Sequence, residues 1–136
     1  MGTRSLTMIG TKNDKAIVTM YRQYDGYPQG HGLDLAEYLA PFVVTNGIGA
    51  HAKLGLSANG VGCLSAQLVK HFKEAVGNIY LYPSNTRDIG EEYIYKVFVE
   101  EGNITIEVYE VGWEGDPDKA VFKGTPQHCI EWCKNQ

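Results

Sequence analysis

Apolar and polar positions change period several times along the chain, and each change predicts an element. Residues 4–9 and 16–24 are strand-like, and between them Thr11, Lys12, Asn13, Asp14 and Lys15 make a polar, turn-forming stretch, so the chain opens on an expected hairpin. Leu35, Ala36 and Leu39 then recur at helical spacing until Pro41 limits a short helix. A second stripe, Val61, Leu64, Leu68, Phe72 and Val76, steps by three and four, and Gly77 stands where a left-handed residue would cap it. Residues 79–82, 93–99 and 104–111 are rich in β-branched and aromatic side chains. With a Glu101-Gly102-Asn103 turn between the last two, they predict a three-stranded meander. Residues 120–122 add a short strand. Thr125-Pro126, an N-cap and first-turn pair, then starts a terminal helix expected to bury Ile130 and Cys133.

The predicted order is ββααβββ(β)α. Strands and helices grouped in runs, without strict alternation, give an α+β class: an antiparallel sheet of about five to six strands with two to three helices packed on one face. No repeat or linker-like tract divides the chain, so residues 1–136 read as a single globular domain. A chain of this length buries enough apolar surface to fold without disulfides or a metal. Its net charge of −4, from 12 Lys+Arg against 16 Asp+Glu, argues against non-specific nucleic-acid binding, which needs clustered cations. Three cysteines cannot all pair within one chain. Together with the lack of a charged-then-apolar leader and of any apolar run near 18 residues, the odd count points to a reduced, cytosolic setting and away from a membrane.

The densest chemistry lies in Tyr21-Arg22-Gln23-Tyr24-Asp25-Gly26-Tyr27-Pro28-Gln29-Gly30-His31-Gly32, where tyrosines, a cation, an anion, an amide and an imidazole share a strand end and a glycine-rich loop. Alternation puts Arg22 and Tyr24 on one face with Met20, and Tyr21 and Gln23 on the other. Arg22 is the natural clamp for an anion. A scaffold account competes: Asp25-Gly26 as a turn, Tyr27-Pro28 as a packed lid and His31 as a cap for the following helix.

This run, with Gly2-Thr3-Arg4-Ser5-Leu6-Thr7, Asn59-Gly60-Val61-Gly62-Cys63-Leu64, Ala66-Gln67-Leu68 and Ile79-Tyr80-Leu81-Tyr82-Pro83, resembles a family of small phage and prophage proteins through about Tyr95. The resemblance implies viral origin and a host-cytoplasmic setting. It carries over no catalytic residue.

Other constellations add to the picture. Asn59-Gly60-Val61-Gly62 precedes the strongest helix, where free N–H groups favour an anion, although no Walker lysine follows. Gly47-Ile48-Gly49-Ala50-His51-Ala52 imitates a dinucleotide fingerprint but lacks the strand-helix context that gives the motif meaning, and reads as a loop. Tyr80, Tyr82, Tyr93, Tyr95 and Tyr109 form a candidate aromatic shelf, for a ring, a subunit or the core. Cys129 and Cys133 beside His128, or His31, His51 and His71 together, lack metal-ligand spacing, so no metal or cofactor is expected. Asp88, Glu91 and Glu92 read as a solvated loop.

Three functions follow. The first is a non-catalytic binding protein, acting in counter-defence by sequestering a nucleotide-like or other anionic aromatic molecule of the host. Its site would comprise Arg22, Tyr24, Asp25, Tyr27, His31, Asn59, Gly60 and Gly62, with subunits of a homo-oligomer sharing the pocket. The second is a small enzyme in which His31 and Asp25 form an acid-base pair and Arg22 stabilises negative charge. The third is a protein-interaction module whose tyrosine-rich sheet face or edge strand docks onto a host or phage protein or onto itself.

Overall fold

The structure, a computed structural model, describes residues 2–11, 16–45 and 57–136. Most of the turn expected at residues 11–15, and the 47–52 motif with His51, lie outside them. Strands β1 (Ser5–Thr11), β2 (Thr19–Arg22), β5 (Ile79–Tyr82), β6 (Tyr93–Glu100), β7 (Asn103–Glu110) and β8 (Lys119–Gly124) form one sheet in the order β5-β2-β1-β6-β7-β8. Two three-residue strands, β3 (Val43–Thr45) and β4 (Ser57–Asn59), pair in parallel apart from it. Helices α1 (Leu33–Leu39), α2 (Gly60–Phe72) and α3 (Pro126–Lys134) complete an α+β fold, and a single π-helical turn, Pro28–Gly32, leads into α1.

Register explains which side chains meet. Across the sheet, Tyr80, Tyr21, Leu6, Ile94 and Tyr109 make one row, and Leu81, Met20, Thr7, Tyr95 and Val108 make the next, facing the opposite way. The face of the second row carries the main core: Ile9, Tyr95, Val97 and Ile106 pack against Leu35 and Leu39 of α1, Leu64 and Leu68 of α2, and Cys129 and Cys133 of α3. The face of the first row is covered by a smaller cluster, Leu6, Met8, Tyr21 and Ile94 under Ile89 and Val111. Buried on both faces, β1 is apolar or small at nearly every position and shows no alternation to read.

Several expectations need correction. The central pair β1–β6 is parallel, where an all-antiparallel sheet was expected. The meander is β6-β7-β8; β5 lies at the far edge against β2, because residues 83–92 carry the chain across three strand spacings, about 14 Å. Composition marks a strand but does not choose its neighbour. The tyrosine shelf divides: Tyr80 and Tyr82 pack about Tyr21 at 6.0 and 5.9 Å between ring centroids, whereas Tyr95 is buried under the helices. In α3, Thr125 caps the His128 N–H as predicted, but Cys129 joins Cys133 in the core and Ile130 is only half-buried. Helix α2 stops at Phe72, so Val76 leaves the apolar stripe and is fully exposed.

The cause of that stop is local. Lys73 turns to extended backbone, and its ammonium donates to the carbonyls of Gly77 and Ile79, at 2.9 and 2.8 Å. Gly77, at φ +84°, therefore turns the chain into β5 and does not cap α2. Because the Gln23 N–H donates inward to the Asn78 carbonyl, the next residue, Ile79, points its backbone groups outward, and Lys73 occupies its carbonyl. Pro83, which has no N–H, follows the strand. The edge is thus blunted at both ends although Tyr80, Leu81 and Tyr82 are exposed.

Glu91 is another correction: it is 7% exposed and closes the loop over the smaller core. Its carboxylate accepts from Arg87 Nε at 2.9 Å and from the Asp88 and Ile89 N–H groups, while Arg87 also pairs with Asp118 on the β7–β8 connection. Burial opposes the Glu91 charge, but the Arg87 and backbone hydrogen bonds more than offset it and hold the carboxyl below its ordinary pKa. A depressed carboxyl stabilises the fold above the unfolded-state value and loses that contribution as pH falls through the folded one.

Two outcomes follow. Lys73→Ala, which uncovers the Ile79 carbonyl, costs roughly 1–3 kcal/mol and increases self-association. Sedimentation identical to the parent chain would contradict the edge-blocking role. Glu91→Gln lowers stability at pH 7 by about 1.5–3 kcal/mol, and the deficit shrinks below about pH 4. Urea titrations at both ends of that range measure it; a deficit independent of pH would remove the charge from the account.

Candidate functional site

Arg22 ends β2 and His31 lies in the π-helical turn, nine residues on, yet their side chains meet. The His31 imidazole is wholly buried, with Nδ1 3.1 Å from an Arg22 terminal nitrogen and Nε2 2.7 Å from Thr7 Oγ1. A guanidinium only donates, so Nδ1 is the acceptor, and the ring proton sits on Nε2 and donates to Thr7. Burial, reinforced by the Arg22 charge, pushes the pKa from 6.5 down to about 3. The ring is neutral at physiological pH and packs between Phe72 and Tyr95, at 4.9 and 5.0 Å.

The glycine-rich loop serves this placement. Asp25 takes φ +59°, and its carbonyl accepts the His31 N–H at 2.7 Å; a Cβ on Gly30 would lie 2.4 Å from that oxygen. Gly26 donates to the Thr3 carbonyl and accepts from the buried Tyr95 hydroxyl. These two glycines permit close packing of the loop on the sheet, and the capping role considered for His31 is replaced by its bonds into the sheet. The Asp25 carboxylate accepts from Tyr27 Oη at 3.4 Å. What joins Asp25 to His31 is backbone to backbone, which gives an acid-base pair no geometry.

Beside Arg22 opens a cleft of about 520 Å³ between α1, the C-terminal end of α2 and the start of β5, lined by Arg22, Asp34, Glu37, Tyr38, His71, Phe72, Glu74, Asn78 and Ile79. Its aromatic wall is continuous: His71 stacks on Tyr38 at 3.9 Å and 16°, and meets Phe72 edge-on at 4.9 Å. Phe72 in turn reaches His31. Burial raises the Tyr38 pKa, so its phenol stays protonated. The Arg22 side chain is 12% exposed, and it donates through Nε to the Tyr24 carbonyl at 2.7 Å and lies 3.6 Å from Asp34.

Of the residues singled out in the sequence, Arg22 lines the cleft and His31 stands behind it. Tyr24, Asp25 and Tyr27 lie on the outer loop, exposed. Asn59, Gly60 and Gly62 begin α2, whereas the cleft lies at its other end, about 18 Å away along a 13-residue helix. The structure therefore does not bring the glycine helix start to Arg22. Tyr38, His71, Phe72 and the carboxylates were missed. Phe72 belongs to the apolar stripe of α2; the one signal of the others was polar and aromatic positions flanking the stripes of α1 and α2, and nothing in the sequence says that these flanks meet.

Among the described residues, no group of His, Cys, Asp or Glu is placed to hold a metal ion, and no helix is long and apolar enough to cross a membrane. No family model matches the chain, and no match is found among curated proteins or solved structures.

The His31 environment sets a pH response. Its folded pKa of about 3 lies below the ordinary 6.5, so the unfolded chain takes up the proton first; the contribution is complete above 6.5 and is lost as pH falls toward 3. The His31 ring signals in a proton NMR titration stay fixed between pH 8 and pH 5, and a midpoint near 6.5 would refute the buried acceptor role. His31→Gln flattens the corresponding part of the stability profile at a cost of about 1–3 kcal/mol at pH 7.

Proposed function

We propose that this chain is a non-catalytic binding protein whose cleft receives a flat, ring-bearing small molecule. One observation carries the reading: the Tyr38–His71 stack and Phe72 form an aromatic wall in a cleft of about 520 Å³, a size suited to a small ligand. Polar groups at its margin, Asn78 and the carboxylates of Asp34, Glu37 and Glu74, would orient the ring's substituents. The ring-stacking half of the nucleotide-like ligand expected from sequence has a counterpart in this cleft. Its phosphate half has only Arg22, already engaged by Tyr24, His31 and Asp34. In the setting implied by the resemblance to small phage proteins, such a receptor would act by sequestering a host molecule.

Two features favour this over the alternatives. An acid-base mechanism through His31 would need a solvent-accessible imidazole, and this one is sealed and neutral. Docking by strand addition at β5 would have to compete with the Lys73 ammonium at the Ile79 carbonyl.

A library of planar heterocycles, nucleobases and nucleosides, screened by amide chemical-shift changes, should perturb residues 34–38 and 71–79 together. His71→Ala, at an exposed position, should weaken the best binder by about 1–3 kcal/mol while leaving the fold intact. No binding at millimolar concentration, or shifts confined to the residue 24–27 loop or to the start of α2, would overturn the reading.

A further inference from the structure

The charges around the cleft are unequal, and the inequality selects among flat ligands. Among the described residues that line the cleft, only Arg22 carries a permanent positive charge, and its guanidinium is tied to the Tyr24 carbonyl, His31 Nδ1 and Asp34. Asp34 thus answers Arg22. Glu37 and Glu74 remain, both exposed, with no second cation among the described lining residues. Lys73, next to Glu74 in the chain, does not line the cleft: its ammonium lies on the Gly77 and Ile79 carbonyls and over the Tyr80 ring. Nor does the imidazole behind Arg22 supply charge, since it is buried and acts as an acceptor.

Resting on the cleft as a ring-binding site, we propose that its ligand is a planar organic cation, of the amidinium or protonated aminoheterocycle class, held against the Tyr38–His71–Phe72 wall with its charge toward Glu37 and Glu74. Aromatic faces carry negative charge density and attract a cation, and flanking carboxylates add to that attraction where water is partly excluded. The same groups act against a ligand bearing phosphate or carboxylate. An anion would meet two uncompensated carboxylates, and the one cation that it could bond, Arg22, already faces Asp34 at 3.6 Å. The nucleotide expected from sequence is therefore replaced by a positively charged or donor-rich ring.

Three isosteric probes separate charge from shape: benzamidine, which is cationic at pH 7, benzamide, which is neutral, and benzoate, which is anionic. By chemical-shift titration of residues 34–38 and 71–79, benzamidine should bind about tenfold more tightly than benzamide, a difference of about one log unit in Kd, and benzoate more weakly than both. Raising salt should weaken benzamidine alone. The double variant Glu37→Gln with Glu74→Gln, both at exposed positions, should remove the benzamidine advantage, so that benzamidine and benzamide bind the variant with similar Kd. Benzamide or benzoate binding as tightly as benzamidine, or a double variant that keeps the cation preference, would overturn the charge assignment while the ring-binding cleft stood. If none of the three perturbs these residues, the cleft reading fails along with it.

Discussion

A neutral imidazole buried between a strand hydroxyl and a strand guanidinium is the contact on which the rest of this architecture depends. His31 receives a hydrogen bond from Arg22 and gives one to Thr7, so a single ring ties β1, β2 and the turn entering α1 into one unit. In a dry interior each of these bonds is worth more than on the surface, and leaving either partner unsatisfied would cost about 1–3 kcal/mol. Phe72 packs on the same ring and so fixes the end of α2 against it. The cleft exists because of this anchoring: one wall is α1, the other is the end of α2, and both are referenced to His31.

Much of the fold could be read from local pattern, because local pattern is what selects helix or strand. The 3.6-residue stripe through Leu64 and Leu68, the Thr125 cap with Pro126 behind it, and the β-branched runs of β6 and β7 each declared an element close to its observed position. Pairing is a non-local property and was less legible. Nothing in Ile79-Tyr80-Leu81-Tyr82 distinguishes a strand that pairs with β2 from one that pairs with β6, and the parallel contact of β1 with β6 joins segments almost ninety residues apart. The three-residue strands β3 and β4 are too short for any period to show. Glu91 escaped for another reason: its burial depends on Arg87 and Asp118, and only the second of these lies beyond the local sequence.

The candidate site was half legible for a similar reason. Polar density drew attention to residues 21–32, and two of its members, Arg22 and His31, do organise the cleft. The others were attractive because they were close in sequence, yet the loop turns Tyr24, Asp25 and Tyr27 outward so that its backbone can reach His31 and Tyr95. Conversely, Tyr38 and His71 are 33 positions apart and stack only because two helices rest on the same sheet face.

The role of Arg22 shows how the scaffold determines chemistry at the surface. A lone arginine at a strand end would be an anion site, since its five donors face solvent with nothing to answer them. Here the loop folds back to supply the Tyr24 carbonyl, the turn supplies an imidazole acceptor and α1 supplies Asp34, so the guanidinium is used in holding the loop that carries these partners. Of these partners only Asp34, at 3.6 Å, offsets its charge. Glu37 and Glu74 line the cleft as well, so the proposed ring-binding site would favour a cation over the anion expected from the sequence.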